Sequence, residues 1–195
     1  MTTASKQTSL EFHKMSAQPS QDDHHDGPAS PLLRRLSYRR FWLLGGFILA
    51  LDQLTKYWIN TRLPLGSYGP AGIPVFPGFF NLVHVGNTGA AWSMFSGKSS
   101  LLALLAAATL IAIYVWRQAL GLREPTGQLT FGLLCGGIIG NLIDRLVYHH
   151  VIDFIDLHFG TYIYPTFNVA DSAICVGVFW YILWSLRQPD FSRSE

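Results

Sequence analysis

The chain has 195 residues, of which 49% are hydrophobic, 14% aromatic and only 13% charged. Soluble domains carry about 25% charged residues, so a disordered chain and an ordinary soluble enzyme are both poor descriptions. A net charge of +2 is too small to draw in nucleic acid by bulk attraction. The two cysteines, Cys135 and Cys175, lie inside apolar runs and read as packing residues rather than a disulfide framework.

Residues 1–40 stand apart. They hold Lys6, Lys14, Arg34, Arg35, Arg39 and Arg40 against Glu11, Asp22, Asp23 and Asp26, among many Ser, Gln, Thr and His residues. No apolar periodicity runs through them, so a disordered tail is expected. The stretch also lacks the apolar core and small-residue cleavage site of a signal peptide.

Four long apolar segments follow, at about 41–59, 99–117, 129–148 and 167–186. A bilayer core needs about 20 residues of helix. Leu101 to Trp116 carries no charge, which leaves it without the polar face a soluble bundle helix requires. The expected fold is therefore an all-α membrane protein of four transmembrane helices, with 188–195 as a short tail. Lys/Arg asymmetry sets the orientation. Arg34, Arg35, Arg39, Arg40, Arg117, Arg123, Arg187 and Arg193 fall on one side. Arg62 and Lys98 fall on the other, where no Lys or Arg occurs between residues 146 and 166. Both termini should be cytoplasmic. Trp42, Trp58, Trp116, Trp180 and Trp184 sit near predicted helix ends, as interfacial aromatics do.

The inner connection, roughly 118–128, is short and contains Gly121, Pro125 and Gly127. The outer connection 60–98 is long, rich in Pro and Gly, and then runs Phe79-Phe80-Asn81-Leu82-Val83-His84-Val85, which reads as a strand. In the second outer connection, 149–166, Val151 to Leu157 alternates like a strand or a short interfacial helix. A small β platform with loops on the outer face is expected.

Charges at bilayer depth are costly, about 2.5–3.5 kcal/mol each on insertion scales, so they need a partner, a cavity or a reaction. Asp52 and Lys56 stand four apart on the first helix, acid first, the favourable order for an ion pair. On the third helix Asn141, Asp144 and Arg145 share one face, with the last two read as structural. Gly132, Gly136 and Gly140 form a ridge where another helix can approach.

Asp153 lies just beyond the third helix. Asp171 lies one turn into the fourth, three residues after Asn168 and on the same face. Neither acid has a Lys or Arg within four residues. Two unpaired carboxylates brought together share a proton, because both cannot ionise easily. One then deprotonates water while the other polarises a carbonyl, which is peptide hydrolysis without a covalent intermediate. The same two acids equally suit an ion site. His149 and His150 with Asp153 make a poor zinc set, since adjacent histidines point in different directions.

Five separated motifs carry a resemblance over about residues 40–187. They are Asp52-Gln53-Leu54-Thr55-Lys56, Asn87-Thr88-Gly89-Ala90-Ala91-Trp92, Gly140-Asn141-Leu142-Ile143-Asp144-Arg145, Val151-Ile152-Asp153-Phe154 and Phe167-Asn168-Val169-Ala170-Asp171. In order and spacing the chain resembles the bacterial type II (prolipoprotein) signal peptidases of the inner membrane. The resemblance implies an aspartyl endopeptidase, probing its substrates at the periplasmic face. It would cut prolipoproteins before a cysteine that already carries a diacylglyceryl group. It puts the family's catalytic aspartates on Asp153 and Asp171. Its supporting positions fall on Asp52, Lys56, Asn87, Gly89, Asn141, Arg145, Asn168 and Ala170, with Asn87, Asn141 and Arg145 orienting substrate backbone or nearby loops. It implies a monomer in membrane lipid, with no cofactor, metal or nucleic-acid partner. Phe79, Phe80, Val83, Trp92 and Phe95 are candidates to cradle acyl chains or lie on the membrane surface. Two rivals are a proton or ion transporter relaying through Asp52, Asp144 and Asp171, and a scaffold whose polar residues only join helices. The set of five motifs argues against both.

Overall fold

In the computed structural model, residues 38–187 are described. The expected tails, 1–40 and 188–195, lie outside these residues except for Tyr38, Arg39 and Arg40. Among the described residues are four α-helices and a small sheet. They are α1 (Arg39–Arg62), β1 (Ile73–Phe76), β2 (Phe80–Asn87), α2 (Ser99–Val115), α3 (Pro125–Val147), β3 (Val151–Phe159), β4 (Tyr162–Ile163) and α4 (Val169–Arg187). Arg39 and Arg40, expected in the tail, instead open α1.

Helix α3 begins at Pro125, inside what the sequence marks as a loop. Proline suits the first turn, because its missing N–H is one that no helix could satisfy there. Gly127, also expected in that loop, lies in the helix at a place where a Cβ would run into the Gly121 carbonyl, so only glycine fits.

The helices are inside-out relative to a soluble bundle. On α1 the exposed residues include Trp42, Leu43, Phe47, Leu54 and Tyr57, while Asp52 and Lys56 are buried at 0% and 1% exposure. Along α2 and α4 the outward residues include Leu104, Ile111, Tyr114, Val176, Phe179 and Leu186. Helices α3 and α4 are long and apolar enough to cross a membrane, while α2 is apolar but shorter, at 17 residues.

Helix α3 is the central post. Its glycine ridge lies against α1: a Cβ on Gly136 would stand 2.7 Å from the Gly45 carbonyl oxygen, and one on Gly132 3.2 Å from that of Phe41. Against α4, a Cβ on Gly137 would stand 2.5 Å from the Ala170 carbonyl oxygen. Small residues let helix backbones approach where lipid-like surroundings provide no hydrophobic drive. At the end of the bundle holding the α2–α3 connection, Ile113, Leu122, Phe131, Leu134 and Cys135 form an apolar core. At the other end, Ile59 of α1 and Leu63 just after it pack on Ile152 and Phe154 of β3.

That contact seats the sheet on the helices. Strand order is β1-β2-β3-β4, with every pairing antiparallel. Strand β2 covers the predicted run from Phe80 to Val85, with Phe79 left in the turn before it, and Val151–Leu157 settles as a strand rather than an interfacial helix. Val85 pairs with Asp153 and Asn87 with Val151, so these four side chains share one face.

Candidate active site

The sheet register and the start of α4 bring Asp153 and Asp171 to one cluster. Asp153 is 2% exposed. Its Oδ2 accepts a 3.0 Å hydrogen bond from Asn87 Nδ2 on the neighbouring strand, and its Oδ1 one of 2.7 Å from Asn168 Nδ2. Asn168 is completely buried just before α4. Its Oδ1 accepts the Asp171 backbone N–H at 2.8 Å, and Asp171 Oδ2 accepts the Asn168 N–H at 3.3 Å. This reciprocal pairing is the logic of a capping box, with asparagine and aspartate in place of serine and glutamate. It explains why Asn168 and Asp171 are three apart. Asp171 Oδ1 accepts from Asn141 Nδ2 of α3 at 2.7 Å. Each of the four carboxylate oxygens thus has an N–H donor, and Asn168 touches both acids.

Burial, followed by repulsion from Asp171, raises the Asp153 carboxyl from its ordinary 3.8 to about 7. The hydrogen bonds from Asn87 and Asn168 pull the other way, but they do not outweigh the loss of water. A carboxyl poised near neutrality can change protonation state during a reaction at ordinary pH.

Behind the pair lies a second polar layer. Lys56 Nζ contacts Asp52 Oδ2 and Asp144 Oδ2, each at 2.8 Å, and donates to Asn141 Oδ1 at 2.9 Å. Asp52 Oδ1 accepts the Ala170 backbone N–H at 2.9 Å. Asp144 Oδ2 accepts that of Ile152 at 3.1 Å. Gln53 Nε2 lies within hydrogen-bond reach of Asp52, the Gly140 carbonyl and Asp144. Gln53 was passed over in the sequence reading. An amide beside Asp52 in an otherwise apolar stretch was the available signal.

Arg145 reaches from α3 to the 88–97 loop, where Nη2 donates to the Gly89 carbonyl at 3.0 Å. Gly89 N–H in turn donates to Asn87 Oδ1 at 2.9 Å, fixing the amide that faces Asp153. Asn87, Gly89, Asn141, Arg145, Asn168 and Ala170 are therefore gathered around the two acids, and Asp52 and Lys56 stand one layer further in. Val83, expected as a possible lipid contact, is completely buried and cannot serve. Phe79, Trp92 and Phe95 are exposed, and Phe80 is half-buried. Among the described residues no group of three His, Cys, Asp or Glu side chains is placed to hold a metal.

A cavity of about 770 Å³ opens onto the acids. Asn87, Asn141, Arg145, Asp153 and Asp171 line its polar side, and Val151, Ile163, Phe167, Ile174 and Val176 its apolar side. Trp92, at φ 54°, meets Tyr164 edge-on with ring centroids 6.5 Å apart at its rim.

A buried carboxylate on β3 and a half-buried one on α4, beneath a half-apolar cavity in a bundle with apolar outer faces, are the design of a membrane enzyme. Residues 44–187 match the family described as signal peptidase (SPase) II. A lipoprotein signal peptidase of Nostoc punctiforme is 40% identical over 164 residues, covering 83% of this chain and 98% of the relative. One from Oleidesulfovibrio alaskensis is 41% identical over 147 residues, covering 73% and 91%. A bacterial membrane enzyme solved by the in meso method at 2.3 Å superposes with a TM-score of 0.69 at 32% identity, covering 80% of this chain and 92% of that one. The chain belongs to the signal peptidase II family and is a peptidase.

Proposed function

We propose that Asp153 and Asp171 are the catalytic dyad of an endopeptidase that removes signal peptides from prolipoproteins, cutting before a diacylglyceryl-modified cysteine. The observation that carries this reading is Asn168, which bonds Asp153 with its side-chain amide while capping the helix turn that presents Asp171. One carboxylate, ionised, takes a proton from water as the water oxygen attacks the scissile carbonyl carbon. The other, protonated, donates to the carbonyl oxygen. The resulting tetrahedral adduct collapses, the C–N bond breaks, and a dyad proton passes to the departing amine. The pair acts as a unit, so the shared proton belongs to both.

Arg145 adds a positive field and donors on the cavity wall. The apolar half of the cavity suits the acyl chains and the signal helix. Phe79, Trp92 and Phe95, exposed on the sheet and loop, offer further apolar contact to lipid.

We place the enzyme in the bacterial inner membrane as a monomer, with α1 to α4 as four spans and the dyad near the periplasmic surface. Arg39, Arg40, Arg117, Arg123 and Arg187 stand at the helix ends and connection away from the sheet. That supports a cytoplasmic location for that end and for both termini.

The test is cleavage of a purified diacylglyceryl-modified prolipoprotein in detergent, followed by gel shift. Wild type should cleave, and Asp153→Asn and Asp171→Asn, shown to be folded, should each be slower by about 10²–10⁴-fold or more. Cleavage that survives both changes moves the chemistry to other residues. A folded wild type that cleaves nothing but passes ions in liposomes would restore the transporter reading.

A further inference from the structure

Three buried charges take no part in the chemistry just described. Asp52, Lys56 and Asp144 are each 1% exposed or less. A buried ion cluster adds little net stability on average, because desolvation offsets the attraction. The cluster therefore calls for a role other than holding the bundle together.

Its hydrogen bonds point to one. Asp52 holds the backbone N–H of Ala170, the residue immediately before Asp171. Asp144 holds that of Ile152, the residue immediately before Asp153. Lys56 joins the two holders at 2.8 Å each. An ammonium has three donors, and the third goes to Asn141 Oδ1, leaving Asn141 Nδ2 to face Asp171. Each member of the dyad is thus one residue from a backbone contact that ends on the same nitrogen.

We propose that Lys56 is a positioning residue, a spacer that sets the separation of Asp153 and Asp171 by clamping Asp52 and Asp144, which grip the backbone beside them. This rests on the dyad reading above. The spacer joins four elements and acts alongside the direct Asn168 bridge between the acids: α1 supplies Lys56 and Asp52, α3 supplies Asp144, and the dyad itself comes from β3 and α4. Gly140 belongs to the same device, since a Cβ there would collide with Asp52 Oδ2.

Gly140→Ala is the sharpest test, because it displaces the Asp52 arm while every charge stays. Misplacing a catalytic group by about 1 Å can cost about 10²-fold in rate. We expect kcat to fall about 10- to 100-fold with KM within about twofold of wild type. Lys56→Met should lose at least as much. It also removes a cation that lowers the Asp153 titration, against Asp171 on α4 and with Arg145 on α3 also facing it. The alkaline limb of its kcat profile should therefore move to higher pH. Gly177→Ala serves as a packing control: the nearest neighbours of its Cβ would be the Leu134 and Leu133 side chains. It should lower thermal stability with kcat within about threefold of wild type.

A folded Gly140→Ala enzyme with wild-type kcat overturns the spacer, as does an equal kcat loss in Gly177→Ala. If Lys56→Met fails to fold, Gly140→Ala decides alone. Should Asp153→Asn in the same assay cleave like wild type, the dyad reading has failed, and the spacer with it. If Asp153→Asn is inactive while Gly140→Ala is normal, only the spacer has failed.

Discussion

Replacing Asp153 with asparagine should change stability in a way that depends on pH. The carboxyl is buried, and it titrates at about 7 in the fold against 3.8 ordinarily. The folded value is the higher one, so the folded state holds the proton more tightly. The resulting stabilisation is complete below about 3.8 and is lost as pH rises through about 7. One step in pKa corresponds to ~1.4 kcal/mol, so wild type loses ~4 kcal/mol between about pH 4 and about pH 8 through this group. Asparagine escapes that loss. It brings a different cost: Asn87 Nδ2 and Asn168 Nδ2 both donate to Asp153, and an amide can accept from only one of them. The donor left unpaired costs about 1–3 kcal/mol at every pH. The variant should thus be the less stable protein near pH 4 and the more stable one near pH 8. Thermal midpoints in detergent, read by tryptophan fluorescence across this range, should cross. A difference of ~4 kcal/mol corresponds to on the order of 10 °C in a chain of this size. A gap that stays constant with pH, or wild type gaining on the variant as pH rises, would refute the argument.

Other outcomes follow from the same geometry. Cleavage by wild type should fall about tenfold from pH 6 to pH 8, because the proton that the dyad shares is lost through about 7; a rate unchanged up to pH 9 would contradict this. Asn168→Ala removes a helix cap and the amide that reaches Asp153. It should cost about 0.5–2 kcal/mol through the cap alone and lower kcat well beyond what that loss explains, as measured by denaturation and single-turnover cleavage. Gly137→Ala puts a Cβ 2.5 Å from the Ala170 carbonyl oxygen, and should destabilise by about 1–3 kcal/mol in a thermal scan. Changing Phe79 and Phe80 together to serine strips aromatic surface from the sheet, where Phe79 meets Phe159 edge-on at 5.5 Å. KM for a lipidated substrate should rise several-fold, and processing that stays intact would remove these residues from lipid binding.

Parts of this arrangement were legible in the residues alone. Asp52 and Lys56 declared themselves as a pair because helical spacing is a local fact. Asn168 and Asp171 did so through their three-residue offset. The two acids without local cations drew attention because a bare carboxylate in an apolar setting is expensive. The sequence marks Asp144 as a structural neighbour of Arg145 or a member of a relay, but not as the partner of Lys56, which lies 88 positions away and is joined to it only by tertiary packing. Strand β1 was hidden in a run of prolines and glycines, which as a local signal means turn. It forms because β2 offers it an edge. The start of α3 was missed for a related reason: Pro125 and Gly127 read as breakers until the neighbouring backbone explains both.

The edges of the sheet bear on how a substrate can be held. One outer strand, β1, contains Pro74 and an irregular register, and the other, β4, is only two residues long. Neither gives a long, regular row of unpaired N–H and C=O groups, the template on which an extended peptide docks by adding a strand. A polypeptide arriving at this enzyme therefore gains little from its backbone alone. The cavity wall is left as the contact surface, with Asn87, Asn141 and Arg145 on its polar side and Val151, Ile163, Phe167, Ile174 and Val176 on its apolar side. The shape of one hollow, rather than the length of one open edge, then decides which chains can settle there.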